Sequence, residues 1–197
     1  MEKHILHGIV ITEIPRPEKS RIEQFSGFTA AKIAAATHGK MALEPSIRPI
    51  YSGHRVCGPA VTVLSRMGDA LWLQRVADIA CEGDVIVVDG GGSAELSVVG
   101  ERIMHYMMVN RGVSGLIVDG AVRDIAGAAE FGFPIWAKGS VARLYSANAP
   151  GAVNVMIQCG GLVVEPGDLV VADDTGAAIV PLEMVDHVMA LVKQQIM

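Results

Sequence analysis

The run Val85-Ile86-Val87-Val88 carries no polar residue at either alternate position. A strand with one wet face alternates polar and apolar residues, whereas one covered on both faces reads as a continuous apolar run. Gly115-Leu116-Ile117-Val118 repeats the pattern thirty residues later. Each run ends in an acid followed by glycine, Asp89-Gly90-Gly91-Gly92-Ser93 and Asp119-Gly120. A helical stretch from about Ser97 to Asn110 lies between them, long enough for the crossover that two parallel strands require. Asp124 to Phe131 then reads as a short helix and Phe133–Lys138 as a third strand.

The flanks follow other rules. Residues 21–41 form an N-terminal helical segment, centred on the alanine-rich Thr29–Thr37 and stopped by Gly39. Arg55–Ser65 is a β-branched run that reads as a strand, and Asp69 is placed to cap a helix running to about Cys81. Val153–Gln158, Leu162–Glu165, Leu169–Ala172 and Ala178–Val180 are short strands between glycine turns, with Asp173-Asp174-Thr175-Gly176 as a hairpin turn. An amphipathic helix over about residues 182–197, following Pro181, closes the chain. The expected product is one α/β domain over residues 1–197, in mixed layers, not a complete doubly wound fold.

Composition narrows the function. The 197 residues are 51% apolar and 19% charged, with a net charge of −5. No basic stripe offers itself to nucleic acid, and no apolar run is long enough for a membrane span. Cys57, Cys81 and Cys159 are far apart and lack a C-x-x-C spacing. They read as small buried hydrophobes in a reducing compartment, so the cytoplasm is expected. His4, His7, His38, His54, His105 and His187 show no metal-binding spacing.

Four groups of residues could carry chemistry. The turn Gly90–Ser93 after a buried strand offers backbone N–H groups to an anion, or is simply a tight turn against a neighbouring strand; G-x-G-x-x-G is absent. Arg123-Asp124 follows the second buried strand. A guanidinium grips a carboxylate through two parallel hydrogen bonds, and an adjacent aspartate is a hard ligand for Mg²⁺ or Mn²⁺. The same pair also suits a helix cap. Gly100-Glu101 opens a helix, where Glu101 serves either proton transfer or the helix dipole. Lys138 at a strand end suits a Schiff base, but a solvated lysine is the plainer reading.

In their order and spacing these pieces resemble the RraA-like family. The resemblance runs from about residue 28 to 185. It rests on Ile47-Arg48-Pro49-Ile50 through Gly58-Pro59-Ala60-Val61-Thr62-Val63, Gly83-Asp84-Val85 to Ser93, Gly100-Glu101, Gly115 to Arg123-Asp124, Phe133-Pro134-Ile135-Trp136, and Pro166-Gly167-Asp168 to Pro181. It implies a swivelling β/β/α fold and a homotrimer or homohexamer with sites between subunits. It also implies a class II aldolase or decarboxylase acting on 2-oxo acids such as 4-hydroxy-4-methyl-2-oxoglutarate or oxaloacetate. In that chemistry Arg123 binds the pyruvate carboxylate and Asp124 holds Mg²⁺ or Mn²⁺. Gly100, Glu101, Arg102 and Ile103 contact substrate, and cleavage passes through a pyruvate enolate. The family also contains non-enzymatic, protein-binding regulators of ribonuclease activity, the alternative reading. Two departures stand out. The interval from Glu101 to Arg123 is one residue longer than usual, so either a loop absorbs it or Arg102 stands where the acid belongs. The further acid that a neighbouring subunit supplies near the C-terminus has no match around Asp186.

Overall fold

The computed structural model describes residues 8–65, 68–144 and 150–196; His4 and His7 lie outside them. The expected buried strands are there, β4 (Val85–Asp89) and β5 (Gly115–Val122), every residue of both buried. They pair in parallel, Val85 against Gly115 through Asp89 against Asp119. β6 (Ile135–Ser140) extends the sheet in parallel beyond β5, and β3 (Val56–Leu64) does so beyond β4. β7 (Gly151–Val153) and β1 (Gly8–Val10) continue past β3, while β2 (Arg48–Pro49) closes the far edge on β6. Each fully buried Val or Ile in such a sheet contributes on the order of 2 kcal/mol.

One face of this sheet is covered by α3 (Leu71–Ile79), α4 (Glu101–Arg111) and α5 (Ile125–Glu130), burying Leu73, Val76, Met104, Met107 and Phe133 with Val61, Ile86 and Leu116. The other face meets a second β layer. Here the hairpin β8 (Ile157–Cys159) with β9 (Leu162–Val164), and the antiparallel pair β10 (Leu169–Asp173) with β11 (Gly176–Val180), bury Trp136, Val85, Val87 and Ile117. β3 belongs to both layers: Val56–Pro59 pairs with β10 and Ala60–Leu64 with β4. Outside the second layer lie α1 (Lys19–Ser26), α2 (Ala30–Ala36) and α6 (Val185–Ile196), sharing a core with Leu169, Val171 and Val180. This is the layered β/β/α arrangement that the resemblance implies.

Local details differ from the sequence reading for identifiable reasons. The N-terminal helical segment holds two helices. Between them Thr29 accepts the Lys32 N–H through its hydroxyl and starts α2 afresh, while Asp173 takes the Ala30 N–H at 2.8 Å. The Asp69 carboxylate accepts the Leu71 N–H at 2.9 Å, one residue ahead of the helix-capping position at Ala70. The C-terminal segment begins as a 3₁₀ turn over Leu182–Met184 before α6. Of the cysteines only Cys159 is fully buried; Cys57 is half-buried and Cys81, in the turn after α3, is exposed. Burial pushes the Cys57 thiol up to about 12 and raises that of Cys159 further, so neither is a ready nucleophile.

The N-terminal strap is fastened by charge. Arg16 places Nε and Nη2 on the two carboxylate oxygens of Asp84 at 3.2 and 3.0 Å, and Asp84 also accepts the Cys81 N–H at 2.8 Å. The Asp84 side chain is wholly buried whereas Arg16 is 35% exposed. Removing the guanidinium strands a buried carboxylate, at a cost below that of a fully desolvated pair. Arg16→Ala should therefore lower stability by about 2 kcal/mol, and Asp84→Asn in the same chain should recover part of it. Urea unfolding of both variants reads the two effects; an unchanged midpoint for Arg16→Ala would show that the pair fastens nothing.

Candidate functional site

The site grows from the carboxyl end of β5. Residues Ser97–Gly100, read from sequence as the start of a helix, instead run alongside that strand end. Ser97 bridges Ala121, Val98 donates its N–H to Ala121 O at 3.0 Å, and Arg123 donates its N–H to Val99 O at 3.1 Å. Val98 and Val99 are apolar enough to prolong a helical pattern, but their backbone is consumed by the sheet. α4 therefore starts at Glu101, with Gly100 as its cap in extended conformation. The Gly100 carbonyl accepts the N–H of Ile103 and Met104. The N–H groups of Glu101 and Arg102 have no acceptor within the helix, as helix geometry dictates.

Gly100 lies directly under the Arg123–Asp124 pair. A Cβ built on it would stand 2.7 Å from Asp124 Oδ2, 2.8 Å from Arg123 Nε and 3.0 Å from Arg123 Nη2. Its φ is −123°, open to any residue, so glycine is required here by space and not by backbone angle. Arg123 Nη1 meets Asp124 Oδ2 at 3.3 Å, with the two side chains 37% and 41% exposed. Arg123 Nε is buried and has no acceptor among the described residues. Asp124 adopts a left-handed conformation, φ 59°, and its carboxylate does not cap α5. That removes the capping role the sequence allowed it and leaves a hard oxygen donor at the surface.

The remaining predicted residues group around this pair. Glu101 is exposed at the head of α4, and its carboxylate lies over Gly127 of α5. Arg102 is exposed and Ile103 half-buried against the core. Structure thus brings Gly100, Arg123 and Asp124 to one place, with Glu101 next in the chain and its carboxylate turned to Gly127. No group of three or more His, Cys, Asp or Glu side chains is arranged around a common point among the described residues.

Two other readings change. The Gly90–Ser93 turn is not an open anion nest: Gly91 N–H goes to the Asp89 carboxylate at 2.9 Å and Gly92 N–H to Asp119 O at 3.1 Å. Lys138 is not solvated. Its ammonium lies 2.7 Å from Asp119 and 2.6 Å from Glu44, donates to Gly92 O at 3.0 Å, and its side chain is only 17% exposed. Burial works against the charge, but the hydrogen bonds to Asp119 and Glu44 outweigh it and raise the lysine pKa. Lys138 in turn holds the Glu44 carboxyl below its ordinary value, helped by Ser46. Asp119 completes the knot by accepting the Gly160 N–H at 2.8 Å. Sequence carried no sign of this cluster, because Glu44 and Lys138 meet only through the fold. A cavity of about 600 Å³ between α2, β2 and the β10–β11 turn is lined by Glu44 and Arg48 but not by Arg123.

If Gly100 is the cradle of the pair, Gly100→Ala should displace Arg123 and Asp124 while leaving β5 and the body of α4 intact. Near-native circular dichroism with displaced Arg123 side-chain NMR signals is the expected result; native signals would show that the contact is slack.

The chain matches the RraA-like family (aldolase/RraA) over residues 30–179. A relative from Halalkalibacterium halodurans, named "Putative 4-hydroxy-4-methyl-2-oxoglutarate aldolase", is 33% identical over 174 residues, covering 88% of this chain and 82% of its own. One of the same name from Shewanella oneidensis is 31% identical over 140 residues, 71% of this chain and 85% of the relative. Among solved structures, Streptomyces coelicolor RraAS2, described as an unusual member of the RNase ES inhibitor RraA protein family, superposes with a TM-score of 0.81 at 30% identity, covering 91% of this chain and 94% of that one. With the family matched over most of its length and the layered fold shared, this chain belongs to the RraA-like family.

Proposed function

We propose that this protein is a divalent-metal-dependent lyase that cleaves 2-oxo acids to pyruvate, with Arg123, Asp124 and Glu101 as its working residues. The observation that carries the reading is the cradle at Gly100. A guanidinium with a buried, unpartnered Nε and a carboxylate released from capping share one small space beside the head of α4. A 2-oxo acid needs these complements: a fork for its carboxylate and a positive field beside its keto oxygen. The names of the two relatives support the same reaction class.

The residues present fit Mg²⁺ or Mn²⁺. Magnesium is commonly held by one or two carboxylates, with water and substrate supplying the other oxygens, and Asp124 offers one half-exposed carboxylate. Asp124 would hold the ion, and when bound it supplies the electrophilic pull that draws charge onto the keto oxygen. Arg123 binds the substrate carboxylate and keeps a fixed positive charge beside the developing enolate. The first N–H groups of α4 add their partial positive charge at the same side. Glu101 accepts the proton of the C4 hydroxyl, directly or through water. The C3–C4 bond then breaks, its electron pair entering the pyruvate enolate as C4 becomes a carbonyl. The proton returns to C3 to give pyruvate. With oxaloacetate the C4 carboxylate leaves as CO₂ and the same enolate is protonated. Subunits arranged as a homotrimer or homohexamer would close the half-open site, and the cytoplasm is the proposed compartment. Among the described residues no helix is long and apolar enough to cross a membrane.

The reading is tested by following pyruvate from oxaloacetate and from 4-hydroxy-4-methyl-2-oxoglutarate. Turnover should need Mg²⁺ or Mn²⁺ and vanish in EDTA. Asp124→Asn keeps a residue tolerant of the left-handed backbone and removes the charge; it and Arg123→Lys should each lower kcat/KM by about a hundredfold or more, roughly 2.7 kcal/mol. A lysine held as ammonium between two carboxylates is a poor nucleophile. Borohydride should accordingly trap no adduct at Lys138, and mass spectrometry would reveal one if it formed. Absence of turnover on every C4–C7 oxo diacid, with binding to an RNA-degrading enzyme, would favour a protein-binding regulator, the reading that likeness to a Streptomyces member of the RNase ES inhibitor RraA protein family supports.

A further inference from the structure

The two helices that flank the site exchange side chains across a pair of glycines. Gly100 at the head of α4 is covered by Arg123 and Asp124, which lead into α5. Gly127, within α5, is covered by Glu101, the first residue of α4. A Cβ at position 127 would stand 2.0 Å from Glu101 Oε2, 2.4 Å from its Cδ and 3.1 Å from its Cγ. These three atoms are the outer half of one flexible side chain, and the Gly127 backbone is otherwise an ordinary helical position. Gly127 is also three residues beyond Asp124.

We propose that Gly127 is a positioning residue, whose missing side chain forms the seat that holds the Glu101 carboxylate over α5, three residues beyond Asp124. The proposal rests on the reading of Glu101 as the proton-handling group of a lyase. A glycine inside a six-residue helix weakens that helix. A methyl group there would strengthen α5, and its three nearest neighbours all belong to the movable Glu101 side chain. Stability and activity should therefore move in opposite directions, which a merely structural glycine would not do.

The experiment combines Gly127→Ala, Glu101→Gln and the double variant. For Gly127→Ala the expected result is an unchanged or higher Tm. Its kcat for oxaloacetate with Mg²⁺ falls about tenfold or more, within the range for a displaced proton-transfer group. In the Glu101→Gln background the same substitution should change kcat by less than about twofold, because the side chain it displaces no longer carries a carboxylate. Equal kcat losses in both backgrounds overturn the proposal. A second readout is independent of turnover: NMR contacts between the Glu101 side chain and the Gly127 α-protons in wild type should be lost, and the Glu101 side-chain shifts moved, in Gly127→Ala. Absence of that contact in wild type, or unmoved Glu101 signals in the variant, overturns the proposal even in an active enzyme. The contact in a wild-type protein that cleaves no oxo acid upholds the seat and removes the lyase reading instead. Should Gly127→Ala not fold, Glu101→Ala in the same chain must restore folding if the carboxylate is what the methyl meets; failure to restore it overturns the proposal.

Discussion

The structure depends on the parallel pairing of β4 with β5, two strands buried on both faces. Their backbone groups can find partners only in neighbouring strands, because neither water nor side chains reach them in quantity. That requirement calls β3 and β6 to their sides, a helical layer to one face and a second β layer to the other. It also decides where polarity can survive. The strands are apolar until they approach their carboxyl ends, and it is there that Asp89, Asp119, Arg123 and Asp124 emerge.

The same requirement builds the site from an unexpected element. The strand end of β5 still has hydrogen-bonding capacity, and residues Ser97–Gly100 take it up before α4 begins. A helix starting a turn earlier would leave those groups of β5 unpaired. Delaying the start brings the helix head, the Gly100 backbone and the Arg123–Asp124 pair into contact. Two charged groups can then pack closely because one residue contributes no side chain.

Much of this was legible in the residue pattern. Unbroken apolar runs announced buried parallel strands, the turn at Asp173–Gly176 announced a hairpin, and an arginine and aspartate after a buried strand pointed to the candidate site. The misreadings share a cause. Val98 and Val99 satisfy a helical periodicity as readily as a strand pairing, and only the neighbouring strand decides between them. Lys138 looks solvated in a linear reading because Asp119 and Glu44 lie 19 and 94 residues away. The Gly90–Ser93 turn looked open because its N–H acceptors include a carbonyl on the adjacent strand. Pattern reports how a segment meets an average environment, whereas these contacts are particular to one fold.

The double membership of β3 bears on how the molecule can move. Its first half is hydrogen-bonded to β10 and its second half to β4, with Pro59 and Ala60 at the junction. The two β layers thus share a continuous covalent spar. Neither can slide past the other as a free plate; relative rotation must be taken up as torsion within a few residues of that spar. Movement at the carboxyl end of the parallel sheet would reach the outer helices as a small twist, as through a stiff transmission and not a loose hinge.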